Sequence, residues 1–398
     1  MYEELLQLMA EGFSRALQAS GWALPGILHQ TEVYPAVVAG KARPVAYFLV
    51  DALRYEMAVE LMKQLEGAQE LTISPAVAAL PTITPVGMAA LLPEASASFS
   101  VIDHRGKIAG QIEGTVMENV DERMRFLKAR VPDVVELTLG RVVEWSPSRL
   151  QKAVEGASLV VIRSQEIDFL GEADGDLLAR QTMSNIIGNL ARAVRKLGDV
   201  GIESFVITAD HGHQFAARKS DDMKIDNPGG RTVGVHRRCW VGHGGVTPPG
   251  TLRVTGAELG YDTDLDFIFP TGLGVLKTGG GLSFHHGGIS LQELVIPVVS
   301  LRIPASAASK GGVQQLTLSG VPDVITNRTF GIRVLLHPDL FESEALPVRV
   351  ILLHEGVQVG QAGMAVDADL DRESRLVYIN PGEEATLAMI LTRDDCPN

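Results

Sequence analysis

The chain has 398 residues, 45% of them hydrophobic and 21% charged, so it can bury a sizeable core and is long enough for two domains. Its 35 Lys and Arg stand against 48 Asp and Glu, a formal net charge of -13, which argues against a broad nonspecific grip on duplex nucleic acid and leaves anionic substrates to local basic or metal charge. The longest apolar runs are too short to cross a bilayer, the acidic opening is not a secretory pattern, and Cys239 and Cys396 form neither a disulfide framework nor a CxxC site, so a cytoplasmic protein with no membrane contact is expected.

Residues 1–44 read as an amphipathic helix, "YEELLQLMAEGFSRAL", and a link ending in the turn-rich "AGKARP". "VAYFLV" at 45–50 is a continuous apolar run, the pattern of a strand buried on both faces, and "ALRYEMAVELMKQLE" follows with helical spacing. The unit recurs in "ISPAVAALPTITPVGMAALLP", in "ASLVVIRS" before the helix "GDLLARQTMSNIIGNLARAVRKLG", and in "ESFVITADHG". Strands alternating with helices of this length predict an α/β fold with a doubly wound, mostly parallel sheet over 45–305. Residues 216–250, rich in Gly, Pro, Arg and His, read as an insertion or cap. After the link "ASAASKGG", short alternating runs such as "FGIRVLLH" and "ATLAMILTR" predict a small β-sandwich domain over 313–398.

Polar groups stand where the apolar strands end, which is where open α/β sheets bind ligands. Asp51 follows "VAYFLV" and is either the N-cap of the next helix or a metal ligand. Thr84, just before Pro85, is either an N-cap or a nucleophile beside unpaired N–H donors, and Thr82 competes for that role. An unactivated hydroxyl needs a cation nearby. Asp168 and Glu172 are four apart, a spacing that brings both carboxylates to one side of a helix and also suits a solvated acidic loop. Asp210 and His211, in "ITADHG", place a carboxylate and an imidazole where a core strand gives way to a loop. His286 closes the set, with its neighbour His285 as the alternative, while His213, His236 and His243 are weaker candidates that suit substrate contacts. Carboxylates, imidazoles and a hydroxyl without thiolate suit Zn²⁺ or another divalent ion, and seven groups suffice for two.

In this order, Asp51, "PTITP", "DFLGE", "ADHG" and "HHGGIS" resemble the alkaline phosphatase superfamily and, within it, the PglZ domain of bacterial phage-defence (BREX) systems, over roughly residues 45–300. The resemblance implies an alkaline phosphatase-type sheet. It also implies one metal held by Asp51, Thr84, Asp210 and His211, and a second by Asp168, Glu172 and His286, with Thr84 as nucleophile. Position 172 departs from the commoner superfamily histidine, so Zn²⁺ is the first expectation and Mn²⁺ or Mg²⁺ the alternatives. The implied reaction is hydrolysis of a phosphomonoester or phosphodiester, of nucleotides or nucleic acid, through a covalent phosphothreonine-type intermediate. Expected partners are a phosphate-ester substrate and other BREX proteins. His213, Arg237, Arg238 and His243 are expected to contact substrate, with Arg218 and Arg231 in the same basic insertion. The alternative is a catalytically weak metal-binding scaffold that docks other defence proteins.

Overall fold

The computed structural model describes residues 2–65, 67–172, 176–215, 223–278, 284–304, 316–322, 324–336, 345–354, 357–371, 374–380 and 382–392, with backbone only for 2–3 and 176–182. Arg218 and the expected link at 305–312 lie outside the described residues.

Seven strands form the central sheet: β1 (Leu28–His29), β2 (Val45–Val50), β3 (Gln69–Val77), β4 (Val134–Thr138), β5 (Leu159–Ser164), β6 (Ser204–Ala209) and β7 (Val295–Arg302), in the order β1-β3-β7-β6-β2-β5-β4. The strands β2 and β6 are buried at every residue. β2 is a six-residue apolar run because both of its faces are covered, and β6 departs from that pattern at Ser204 and Thr208, the latter paired through its hydroxyl with the Pro297 carbonyl at 2.8 Å. All neighbours are parallel except at β7, which runs antiparallel to β3 and β6. That reversal has a consequence for the site. The carboxyl ends of β2, β5 and β6 share one edge, with Val50 level with both Ser164 and Ala209, and the residues that precede β7 arrive at the same edge.

Helices that bear on the site or flank the sheet include α1 (Tyr2–Ala19), α2 (Tyr55–Gln64), α3 (Thr84–Ala90), α4 (Val120–Arg130), α5 (Glu166–Glu172) and α6 (Asp176–Asp199). One expectation is corrected here: α2 starts at Tyr55 with Arg54 in the N-cap place, so Asp51 caps nothing and lies in the turn before it. A second concerns residues 1–44, which do more than link. β1 pairs with β3, and Ser14 Oγ donates to the Thr271 carbonyl at 2.9 Å, so this segment is built into the same unit.

Between α3 and α4 a three-stranded antiparallel sheet, Ser100–His104, Lys107–Ile112 and Thr115–Met117, stands apart from the main one. The insertion is likewise ordered as a four-stranded antiparallel sheet of Arg231–Val235, Trp240–His243, Thr251–Thr255 and Asp266–Pro270, and so reaches beyond residue 250 to about 270. Its alternation is short and interrupted by glycines, which hides it from a periodicity reading.

The chain divides into compact units at 1–308 and 309–398. The second unit holds a five-stranded sheet, from Leu316–Ser319 to Glu384–Leu391, and a three-stranded sheet of Leu346–Val348, Val377–Ile379 and Asp369–Leu370. Ile332, Val334, Leu336, Val377, Ile379, Leu387 and Met389 form its own core.

Candidate metal centre

Asp51 leaves the end of β2 through a turn in which Ala52 adopts a left-handed φ of 60°. Such a backbone costs a non-glycine residue about 1 kcal/mol or more and persists only where neighbours fix it. Here the Ala52 N–H donates to Asp210 Oδ1 at 3.1 Å and its carbonyl faces His213 Nδ1 at 2.8 Å. The His211 N–H donates to the same Asp210 oxygen at 2.9 Å. Asp210 Oδ1 is thus fully used, while Oδ2 is buried without a hydrogen-bond partner. Gln30, just after β1, holds the chain from below: its Nε2 donates to the carbonyls of Ala209 and Asp210 at 3.0 and 2.8 Å, and its Oε1 accepts from the Ala79 N–H at 2.9 Å.

His211 Nδ1 lies 2.9 Å from the Gly212 carbonyl, which can only accept, so that nitrogen carries the proton and Nε2 keeps its lone pair. Nε2 points at Asp210 Oδ2 (3.4 Å), Asp51 Oδ1 (3.6 Å) and Thr84 Oγ1 (3.4 Å). Thr84 Oγ1 is also 3.5 Å from Asp51 Oδ1. Asp51, Asp210 and His211 therefore offer ligand atoms within 4.8 Å of one another, and Asp168, Glu172 and His286 form a second such group. The two groups adjoin, because the His211 and His286 rings stack with centroids 4.4 Å apart and planes 6° from parallel. His286 Nδ1 lies 3.3 Å from the Thr82 carbonyl, and its Nε2 lies 3.5 Å from Asp168 Oδ1, another buried oxygen without a hydrogen-bond partner. Helix α5 brings Glu172 one turn beyond Asp168, as the spacing of four requires.

The electrostatics describe a site short of positive charge. Burial, then Asp210 and Asp168, push the Asp51 carboxyl well above the usual carboxylate range. Burial, then Glu172 and Asp210, raise Asp168 to about 7, and burial raises Asp210 to about 7 against the N–H groups that lower it. Burial holds His211 down at about 4, hence neutral. Clustered acids with orphaned oxygens and neutral imidazoles with inward lone pairs are the donor set of a divalent cation, so the residues fit one ion in each group.

The tertiary structure separates the paired alternatives. Thr82 Oγ1 donates to the Gly288 carbonyl at 2.8 Å and accepts from the Gly287 N–H at 3.1 Å, so it ties down the His286 loop, and Thr84 is the hydroxyl that faces the acids. Thr84 is the first residue of α3 and Ile83 its N-cap, which leaves the threonine side chain free of a capping bond. Of the tandem histidines, His286 meets Asp168, whereas His285 lies buried in a short strand paired with Gln214.

Among the residues expected at substrate, Arg238 is corrected. It is 1% exposed, its Nη2 lies 3.1 Å from Glu293 Oε2, and its Nη1 donates to the carbonyls of Gly272 and Gly274. Glu293 in turn accepts from the N–H groups of Gly288 and Ser290 and from Ser290 Oγ, so Arg238 braces the His286 loop from inside. His213 is also buried, packed against Phe215 and Phe284, but it lines a cleft of 520 Å³ together with Arg54, Gln64, Gln214 and Gln292. His243 faces Asp264 at 3.8 Å, Arg231 pairs with Asp103 at 3.3 Å, and Arg237 is half-buried in the turn between two cap strands. His236 is half-buried in the same turn, its N–H donating to the Cys239 carbonyl at 2.8 Å. Sequence reasoning missed Gln30, Glu293 and Arg123. Glu293 carried one signal, its place three residues after Ser290 in a capping box; the others sit in segments that read as ordinary helix or link.

The model of the BREX system PglZ alkaline phosphatase-like domain matches residues 28–301. The chain is 25% identical over 403 residues to the alkaline phosphatase-like protein BrxZ of Escherichia coli O9:H4 (strain HS), covering 93% of this chain and 44% of that protein. It is 26% identical over 328 residues to the alkaline phosphatase-like protein PglZ of Bacillus cereus (strain H3081.97), covering 78% and 37%. The chain thus spans less than half the length of these relatives. Among solved structures it is similar to human ectonucleotide pyrophosphatase/phosphodiesterase 5 (TM-score 0.44, 11% identity, 65% of this chain and 87% of that one). It is also similar to phosphonoacetate hydrolase from Sinorhizobium meliloti 1021 (TM-score 0.41, 11% identity, 67% and 95%).

Proposed function

The chain belongs to the PglZ family of BREX-system alkaline phosphatase-like domains, and on that premise we propose that it is a metal-dependent phosphoric ester hydrolase with Thr84 as nucleophile. The observation that carries the reading is the position of Thr84 Oγ1, 3.5 Å from Asp51 Oδ1 and 3.4 Å from His211 Nε2, at the start of α3 and beside a second ligand group. Asp51, Asp210 and His211 would hold one divalent ion against the hydroxyl, and Asp168, Glu172 and His286 the other. Such ions, when bound, supply the positive charge that lowers the pKa of the attacking hydroxyl and offsets charge on the phosphoryl group.

The chain's own residues do the rest. Asp51 Oδ1, 3.5 Å from Thr84 Oγ1, is placed to accept the hydroxyl's hydrogen and so to orient the attacking oxygen. The Thr84 side chain, spared any capping bond, keeps its oxygen available for in-line attack on phosphorus. The ester oxygen departs as the threonine oxygen joins phosphorus, and water then releases the phosphoryl group from Thr84. The substrate we favour is a nucleotide or a nucleic-acid phosphodiester, turned over in the cytoplasm in company with other BREX proteins. Zn²⁺ is the first expectation, and Glu172 favours testing Mn²⁺ and Mg²⁺.

The test is hydrolysis of nitrophenyl phosphomonoesters and phosphodiesters after chelation and readdition of Zn²⁺, Mn²⁺ or Mg²⁺, beside Thr84→Ala. We expect metal-restored turnover that falls at least about 1000-fold in the variant, while elemental analysis finds its metal content unchanged. Equal turnover by Thr84→Ala would remove the threonine from the reaction. No turnover by folded, metal-loaded wild type would favour a scaffold role instead.

A further inference from the structure

Arg123 lies in α4, behind a capping box in which Asn119 and Glu122 satisfy the first turn. It is 8% exposed and belongs to the buried face of that helix with Met124, Phe126 and Leu127. A guanidinium cannot shed its proton at neutral pH, so it is buried as a cation and needs negative charge close by. Among the described residues no carboxylate stands within ion-pair distance of it. The acids that act on it most strongly are Asp210 and then Asp51, both at longer range. Those two belong to the first ligand group, and a divalent ion there would consume their charge. With such an ion in place Arg123 would be left as a buried cation lacking a compensating charge unless an anionic ligand supplied one.

The space around Arg123 says which anion. Arg123 lines a small cavity with Thr84, Met88, Val120, Ser164 and Gln165. Its volume is 20 Å³, room for one water-sized atom and not for a whole ester. A second arginine at this cavity, Arg163, is already engaged: its Nε donates to Glu136 Oε1 at 2.6 Å. Among the described residues that line this cavity, Arg123 is the cation without an ion pair.

We propose that Arg123 is a phosphoryl-binding residue, its guanidinium taking a nonbridging oxygen of the substrate phosphoryl group that enters the cavity between it and Thr84. This rests on the phosphoesterase reading and adds an orientation to it. That oxygen points toward α4, roughly perpendicular to the in-line axis through Thr84 Oγ1, so the leaving group departs opposite Thr84 and not into this cavity. A guanidinium binds such an oxygen through charge-assisted donors, and its planar fork resists replacement by an ammonium.

The experiment is calorimetric titration of inorganic phosphate into the Zn²⁺-loaded full chain, comparing wild type with Arg123→Met and Arg123→Lys, alongside Zn²⁺ affinity and nitrophenyl phosphate hydrolysis. We expect phosphate to bind at least tenfold more weakly in Arg123→Met, with Zn²⁺ affinity within twofold of wild type and a smaller loss in Arg123→Lys. The lysine variant decides the matter should the methionine variant fail to fold. Wild-type phosphate affinity in a folded variant, with wild type itself active, would overturn the role of Arg123 alone. A metal-loaded wild type that neither binds phosphate nor turns over ester would overturn the phosphoesterase reading and this assignment with it.

Discussion

Asp168 and Asp210, each raised to about 7 in the metal-free protein, must lose their protons before they can ligate. Below pH 7, protons therefore compete with the metal at both groups, and the competition ends as the pH passes the raised values. His211, held near 4, stays neutral throughout this range and adds no competition above it. Zn²⁺ affinity, measured by competition with a chelator of known pH dependence, should therefore climb between pH 5 and 7, by roughly tenfold per unit for each proton displaced, with Asp51, raised as well, adding to the climb. A flat profile over that interval would mean that these carboxylates do not ligate. At this scale the sequence was legible for the ligands and illegible for their supports. Asp51, Asp168, Asp210 and His211 announce themselves at strand ends or by spacing. Gln30 reaches the centre by hydrogen bonds to residues some 180 positions away and Arg123 through a cavity it shares with Thr84, and nothing near either residue in the chain marks this.

At the scale of elements, α3 positions Thr84 by packing its backbone against the end of β6. A Cβ on Gly87 would lie 2.2 Å from the Asp210 carbonyl oxygen, so only glycine lets the helix approach that far. Gly87→Ala should lower stability by about 1–3 kcal/mol and weaken metal binding, because α3 must retreat and carry Thr84 away from Asp51. Gly188→Ala in α6 is the control: its Cβ would meet nothing closer than 3.9 Å, and the helix gains up to about 1 kcal/mol. Thermal melts and metal titrations of the two variants, if indistinguishable, would remove close packing as the reason for Gly87. The elements themselves were readable where hydrophobic period was strong, as in β2, β5, β6 and α6. The cap sheet at 231–270 and the small sheet at 100–117 escaped notice, since their strands of three to six residues alternate too briefly to stand out from loops.

At the scale of the molecule, the two units carry separate cores, one built on the central sheet and one on Ile332, Val334, Leu387, Met389 and their neighbours. A chain of residues 1–308 should fold cooperatively and hold metal as tightly as the full chain, within about threefold, by calorimetry and chelator competition. Loss of folding in that piece would show that the first core depends on the second unit. What the sequence by itself determined is the class of fold and the edge of the sheet that carries the polar groups. Strands buried on both faces must be mostly apolar, with a polar side chain inside them paired, as Thr208 is with the Pro297 carbonyl, and unpaired polar groups gather where such a run ends. Only the tertiary structure decided which side chains converge there. Strand order brings β2, β5 and β6 together, and the reversed β7 delivers His286 to the same edge. The same packing turns Thr84 toward the acids and Thr82 toward the Gly288 carbonyl, and closes Arg238 onto Glu293. Side-chain direction and charge balance depend on neighbours distant in the chain, and those neighbours exist only once the sheet has formed.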